Sequence, residues 1–513
     1  MKKRIVCALF AASLMATAAL AGCSGSPVPV PVPAPASSAA SAAPAAPAES
    51  SAAPAEQSSQ QSEAPRGDAV IGKLSARKVG SVKLNTDDVE YTGSGYIYQI
   101  AGKYGVVSLD GSKDTGAKYA AAKEASGSYG SNKGFIAVRE LSGDNKNINT
   151  TGLVDRNGNE VIPCKYAGIE MLNDRYAKVI TADKETKDKD AALIYFTDKM
   201  FSLSPDEGDT MYTGKWEVYD VTTKQLVKNV SGTRPYTVSA KGQFIIFKDD
   251  SANSVTVDAT GLATNEGKKI YDDGSYMLEK NGKGEVYDTD DQLLFAYDEN
   301  AYEVSRYEEP YYVARTTDAN YNHTYFLLDK QGNTVSKEFS DDLSDVTPNF
   351  VLSDKRIYKL DGTQLSTDEF SLLKVDKRYG DVYAASKSGH NIIFDKNGVI
   401  ILDCNTNIDK DINAFDFYAY KNSGSGMQYF NYSTKTFSIE GSERGDWFIS
   451  QMSGKVYNLI QTRTGEKIID SSYGSYSIVD DQIDRKQYII AVNSVNNNVS
   501  KGDFDIYQVD FTE

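Results

Sequence analysis

The chain has 513 residues, a formal net charge of −16, four cysteines and two histidines. So acidic a surface repels phosphate backbones and anionic headgroups, which argues against nucleic acid as a partner. His323 and His390 stand outside any metal-ligand spacing and beside no Ser or Cys nucleophile motif, which argues against an imidazole triad; with no phosphate-cradling glycine loop either, no cofactor or resident metal is expected.

The chain opens with Lys2, Lys3 and Arg4, followed by an apolar run from Ile5 to Leu20. That is the layout of a secretory signal, and the run is short of the ~20 residues of a spanning helix. Its end, Leu20-Ala21-Gly22-Cys23, resembles the lipobox of bacterial lipoproteins. The resemblance implies that residues 1–22 are removed, with Leu20, Ala21 and Gly22 read by the signal peptidase, and that the Cys23 thiol takes a diacylglyceryl group. Acyl chains on Cys23 would hold the protein at the outer face of the cell membrane, or at an outer membrane, because each buried methylene contributes about 0.8 kcal/mol.

Residues 23–66 form the next unit. From Ser24 to Arg66 the chain is rich in Pro, Ala and Ser and includes most of the 14 prolines. Such a segment cannot bury enough apolar surface to fold, and its "SPVPVPVPAPA" start favours an extended polyproline conformation. Fully extended it would reach about 130 Å, and as a coil about 35 Å. It is expected to be a tether.

Residues 67–513 carry a repeated skeleton. "GVVSLDGSKDTGAKY" (105–119), "GLVDRNGNEVIPCKY" (152–166), "YFLLDKQGNTVSKEF" (325–339), "RIYKLDGTQLS" (356–366) and "NIIFDKNGVIILDC" (391–404) each place apolar positions before and after a polar turn. "WEVYDVTTKQLV", "SVTVDATGLAT", "GEVYDTDDQLLF" and "VYNLIQTRTGEKII" are looser forms. This is a β-hairpin pattern: Asp opens the turn by accepting backbone N–H bonds, and Gly closes it where φ is positive. Asp155, Gly158, Asp329, Gly332, Asp395 and Gly398 are therefore assigned to the backbone rather than to catalysis. The turn aspartates 110, 155, 220, 258, 288, 329, 361 and 395 recur every 30 to 65 residues, the spacing of one small antiparallel sheet per unit. The widest interval contains "DKETKDKD" and "SPDEGDT", which read as insertions or a decayed copy.

"GKYGVVSLDG" and "TGLVDRNGNEVIPCKYAGIE" resemble WG-repeat proteins, with Gly152, Leu153, Val154, Asp155, Gly158, Ile162, Pro163 and Tyr166 on the family's pattern. The likeness is strong over one unit and fades elsewhere. Tyr104 and Thr151 stand where Trp is expected, and Trp216 precedes Glu217 rather than Gly. "VYDVTTKQLV" also resembles quinoprotein-type propeller repeats. The WG likeness implies a repeat-built, propeller-like β structure and says little about activity.

No capped apolar run of helical period follows residue 67, and Tyr is abundant at 34 copies. The expected fold is all-β: a β-propeller of seven or eight four-stranded blades, or two smaller propellers. At about 40 residues per blade, residues 67–513 have room for about eleven, so long loops are assumed. The terminal "DFDIYQVDF" (503–511) is expected to close the ring against a strand near "GYIYQIAGKYGVVSLDG". Cys164 and Cys404 occupy equivalent places in two separate units, so two buried thiols are expected rather than a disulfide. "YDTDDQ" (Asp288, Asp290, Asp291) hints at calcium but lacks the Gly and terminal Glu of the helix-loop-helix pattern, and reads as a hairpin tip.

The expected function is an envelope-anchored binding module for a protein or a glycan. Tyr302, Tyr307, Tyr311, Tyr312 and Tyr321 are candidate contact aromatics, set against a role in the core. The alternative is a carbohydrate-active hydrolase or lyase using paired carboxylates in the channel.

Overall fold

The computed structural model describes residues 68–513, with the exception of 87, 128–133, 141–146, 198–199, 234–237, 241–243, 248–253, 258–268, 272, 274, 289, 425, 482 and 496–497. The signal segment, Cys23 and the tether lie outside the described residues. Among these the chain forms eleven small antiparallel sheets and no α-helix; a single 3₁₀ turn spans Lys189–Ala191.

Sheet 1 joins the two ends of the folded chain, in the order Lys73–Lys83, Asn498–Thr512, Gln487–Val495, Ser475–Asp480. Sheets 2 to 11 follow in chain order over residues 89–107, 121–166, 168–232, 238–257, 269–298, 303–328, 343–359, 372–405, 412–440 and 442–461. In every sheet except sheet 4, strands adjacent in sequence are adjacent in space.

The turn chemistry explains this local order. Asp155 Oδ1 accepts the N–H groups of Asn157 and Asn159, both at 2.9 Å, while Gly158 sits at φ 73° and donates its N–H to the Asp155 carbonyl. Asp329 repeats the arrangement with Gln331 and Asn333, and Asp395 with Asn397 and Val399. Asp155 and Asp395 open hairpins whose two arms are both strands, as the pattern predicts.

In sheets 2, 7, 8 and 11 the second arm differs from expectation. It is not a strand but a loop that returns through isolated bridges, Tyr104 to Tyr119, Tyr325 to Phe339, Tyr358 to Gln364 and Tyr457 to Tyr473. Hydroxyls interrupt two of these ladders: Thr115 Oγ1 takes the Val106 N–H and Ser336 Oγ takes the Leu327 N–H, each at 2.9 Å. Such units are short, so eleven sheets fit where seven or eight four-stranded ones were expected. The widest interval proves to be an insertion within sheet 4: the strands Tyr176–Thr186 and Thr210–Asp220 run on past the sheet and carry an added hairpin, Ile194–Thr197 with Met200–Ser202.

Among the described residues, most consecutive sheets share apolar cores. Tyr96 and Phe504 belong to a cluster between sheets 2 and 1, Ile97 and Val138 between 2 and 3, and Ile162 and Trp216 between 3 and 4. Val286 with Tyr312, Val313 with Val351, and Leu352 with Phe394 link sheets 6 through 9 in turn. A larger cluster holds Ile393, Phe430, Trp447, Leu459 and Ile489 from sheets 9, 10, 11 and 1.

The C-terminal strand does pair with an early one, but the partner is Lys73–Lys83, upstream of the expected stretch. This strand reads poorly as β because it is an edge: Lys73, Arg77, Lys78 and Lys83 leave little apolar pattern. Its cations instead match Asp503, Asp505 and Asp510 across the seam, with Arg77 3.3 Å from Asp510 and Lys78 2.9 Å from Asp505. The segment ahead of it is fixed inward. The Val70 N–H donates to Asp395 Oδ2 at 2.8 Å, and the Gly72 N–H donates to Asp381. Arg463 in turn donates to the Gly72 carbonyl and to Asp381.

Candidate functional site: aromatic rings and carboxylates on sheets 9 to 11

The first two strands of sheet 10, Ile412–Phe415 and Tyr418–Ser423, are joined by the turn Asp416-Phe417. Their register sets Phe415 opposite Tyr418, and Tyr420 opposite Tyr429 on the next strand. Period-two alternation puts these rings on one face. Phe415 lies 5.3 Å from Tyr418 at 25° and 6.1 Å from Tyr420 at 10°, and Tyr420 lies 5.6 Å from Tyr429. The inner end is anchored: Tyr429 is buried with Ile439, Ile449 and Ile460. The outer end is open, with Phe415 49% exposed.

Carboxylates border this stack. Glu443 lies on Ser442–Gly445, the first strand of sheet 11, and its N–H donates to the Tyr429 hydroxyl at 3.2 Å. Burial raises the pKa of Glu443 and of Asp446 beside it. Asp376, Asp416 and Asp480 push Asp446 the same way, and Arg378 opposes them. Asp416 pairs with Lys374 at 2.8 Å. Burial pushes the Tyr418 phenol up to about 12, aided by Glu443, so at neutral pH it is a hydrogen-bond donor.

Arg378 organises the neighbouring acids. It lies in the turn between Leu372–Val375 and Val382–Lys387, where Gly380 at φ 69° and the Asp376 carbonyl tighten the backbone. The guanidinium meets Asp376 at 2.7 Å, Asp446 at 3.2 Å, and Asp480. Burial alone would raise Asp376, but Arg378 and the Trp447 indole N–H, 2.8 Å away, outweigh it and hold the carboxyl below its usual range.

This arrangement suits recognition better than hydrolysis. Glycoside cleavage needs two carboxylates flanking open space at about 5 to 9 Å. Here Asp376 is only 4% exposed, and Asp376, Asp446 and Asp480 share one guanidinium. A half-open ring stack rimmed by acceptors offers instead a surface for a sugar face and its hydroxyls.

The five tyrosines singled out in the sequence are spread apart. Tyr312 and Tyr307 are buried in the core of sheets 6 and 7, and Tyr302 packs against it, stacked on Tyr297 at 5.0 Å. Tyr311 is half-buried, with its hydroxyl donating to the Pro348 carbonyl at 2.9 Å. Tyr321 is 84% exposed, on the turn after Tyr311–Thr317. Asp288 accepts the N–H groups of Asp290 and Gln292 at a hairpin tip, and Asp291 accepts from the Tyr276 hydroxyl. His323 and His390 begin strands and bond Thr317 and Asp403. Cys164 and Cys404 are free thiols; Cys404 is buried, while Cys164 is half-buried rather than buried, with its pKa pushed up to about 12 chiefly by that burial. The residues that sequence reading missed are Phe415, Tyr418 and Tyr420. The aromatic density of "AFDFYAY" (414–420) was the available signal.

No protein-family model and no curated protein matches the chain. Among solved structures it has a weak likeness to a crystal structure of the eukaryotic initiation factor, at 7% identity over 65% of this chain and 96% of that one, TM-score 0.21. Hsv2p of Kluyveromyces lactis gives 7% identity over 48% and 97%, TM-score 0.18. Acylaminoacyl peptidase of Pyrococcus horikoshii gives 12% over 70% and 57%, TM-score 0.19. Likeness this weak fixes neither architecture nor activity.

Proposed function

We propose that the protein is an extracytoplasmic, lipid-anchored binding module whose WG-repeat-like sheets form a propeller-like ring and whose ligand is an envelope glycan. The lipobox-like Leu20-Ala21-Gly22-Cys23 and the Pro/Ala/Ser segment support the anchor and tether. The apolar cores shared by sheets 1 to 4 and by sheets 6 to 11, and the joining of both chain ends in sheet 1, support ring closure.

The observation that carries the ligand reading is the half-exposed Phe415 ring stacked on Tyr418 and Tyr420 beside Glu443 and Asp446. Stacking of a sugar face on such rings, with hydroxyls donating to the carboxylates, needs no bond-breaking machinery. A protein ligand is the second member of the same reading, and a hydrolase is disfavoured by the engagement of Asp376, Asp446 and Asp480 with Arg378.

Calorimetric titration of the full chain with envelope glycans tests this. We expect binding that weakens about tenfold or more in Phe415→Ala, taking the loss of a stacking ring to be on the order of the 1–3 kcal/mol seen for aromatic stacking on nucleobases. Absence of binding to every glycan, or equal binding by the variant, removes the glycan reading. Retention of Cys23→Ser at the membrane of its host would remove the anchor.

A further inference from the structure

A second, separate cleft opens at the seam where the chain ends meet. It has a volume of about 450 Å³ and lies between sheets 1, 2 and 3. Arg77 and Lys78 from the first strand form one wall, the Asp110 turn and the Arg156-Asn157 turn another, and Lys486 with Tyr488 the third. A cleft of this size accepts a ligand of one or two sugar rings.

Its polar groups are built rather than scattered. Arg156 is fixed by Asp481 at 2.9 Å and Asp484 at 2.8 Å, and Asp481 is itself held by the N–H groups of Ile483 and Asp484. Lys486 lies 3.6 Å from Asp484, Arg77 keeps Asp510 at 3.3 Å, and Lys78 keeps Asp505 at 2.9 Å. Four cations and three aspartates line this small cleft, a slight local excess of positive charge in a chain of net charge −16.

Tyr488 supplies the decisive feature. Its side chain is only 6% exposed and lines the cleft, and its hydroxyl, which bonds no other side chain or backbone group among the described residues, is open to the cleft. A phenol held rigidly on a cleft wall with its hydroxyl open is placed to donate to a ligand oxygen there. Asn157, exposed on its turn, also lines the cleft and offers a carboxamide to it.

We propose that this seam cleft binds an anionic hexose, a sugar carrying a carboxylate or a phosphate. The anion meets Arg77, Lys78 and Lys486, the ring oxygens accept from Tyr488 and Asn157, and ligand hydroxyls donate to Asp110. Neutral sugars lack the charge to compete with the aspartates that already pair these four cations, and simple anions lack the hydroxyls for the rest. The walls come from both ends of the chain, so an occupied cleft also holds the seam together.

The test is titration calorimetry and thermal unfolding of the full chain with glucuronic acid, glucose 6-phosphate and glucose. Binding of one or both anionic sugars with a rise in melting temperature, and none for glucose, is expected; the two anionic arms tell carboxylate from phosphate. Tyr488→Phe keeps the ring in place and should weaken that binding by several-fold up to about tenfold, the worth of a hydrogen bond to a neutral oxygen. No binding of either anionic sugar at millimolar concentration, equal binding of glucose, or full affinity in Tyr488→Phe overturns the proposal. Phe415→Ala should leave this binding unchanged, so loss of the aromatic site and loss of the seam site are distinguishable.

Discussion

Two tryptophans are fully buried in this protein, and they are buried in opposite ways. Trp216 shares its core with Ile180, Ile194, Phe201 and Val218, an apolar cluster of sheets 3 and 4. Trp447, in sheet 11, donates its indole N–H to Asp376, and the Arg463 guanidinium lies 4.2 Å over its ring. Arg463 is in turn paired with Asp381, their side chains 1% and 2% exposed. The apolar core supplies driving force without direction, at about 25 cal/mol per Å². The ionic core adds little net energy, because desolvation offsets attraction, but it accepts only one alignment of sheets 9 and 11 and the entering segment at Gly72. The two cores divide the labour: ordinary sheet contacts are apolar, and the place where the chain must find its own beginning is specified by charge.

Breaking the ionic core should therefore have the largest effect. Arg463→Met leaves Asp381 buried without its partner, and we expect a loss of about 3–5 kcal/mol in urea unfolding. Asp381→Leu combined with Arg463→Met should recover part of that loss, because two apolar side chains carry no unpaired charge. If the double variant is as unstable as the sum of the singles, the pair acts by something other than mutual neutralisation.

The apolar core is sharpened by a smaller change. Gly232 lies opposite Trp216 in the sheet, and a Cβ added there would stand 2.6 Å from the indole ring. Gly232→Ala should cost about 1–3 kcal/mol, since an overpacked core must shift a large rigid ring. Loss on that scale without a change in the denaturant slope would place the effect in packing. A neutral outcome would mean that this core yields more readily than its burial implies.

How much of this was legible follows the same divide. Local turn chemistry was readable: Asp155, Asp329 and Asp395 hold their turns because a carboxylate followed by Gly at a positive φ has few other uses. The all-β class was readable from alternation and from the lack of helical period. The eleven sheets were not, because a loop closed by Thr115 or Ser336 hydroxyls looks in sequence like a full strand. The first strand was hidden by its charges. The aromatic stack was missed because Phe415 and Tyr418 meet only through pairing register, while the tyrosines at 302–321, set in a loop-like acidic stretch, are shared out between a core and a turn. The Arg463–Asp381 pair joins residues 82 apart in sequence, and no local pattern announces it.

The smallest expected effect lies at the rim of the same seam. Arg77 pairs with Asp510 across the two terminal strands, as Arg463 pairs with Asp381 beneath them, but the Arg77 side chain is 61% exposed. In high dielectric the attraction is weak and its side-chain entropy cost is comparable, so Arg77→Ala in ligand-free protein should cost at most about 1 kcal/mol. That cost should shrink further as salt rises toward 1 M, where the Debye length falls to about 3 Å, whereas the effect of Arg463→Met should persist. Unfolding both variants at low and high salt separates the two contributions. A salt-insensitive Arg77→Ala of several kcal/mol would mean that the rim, rather than the buried pair, holds the chain ends together.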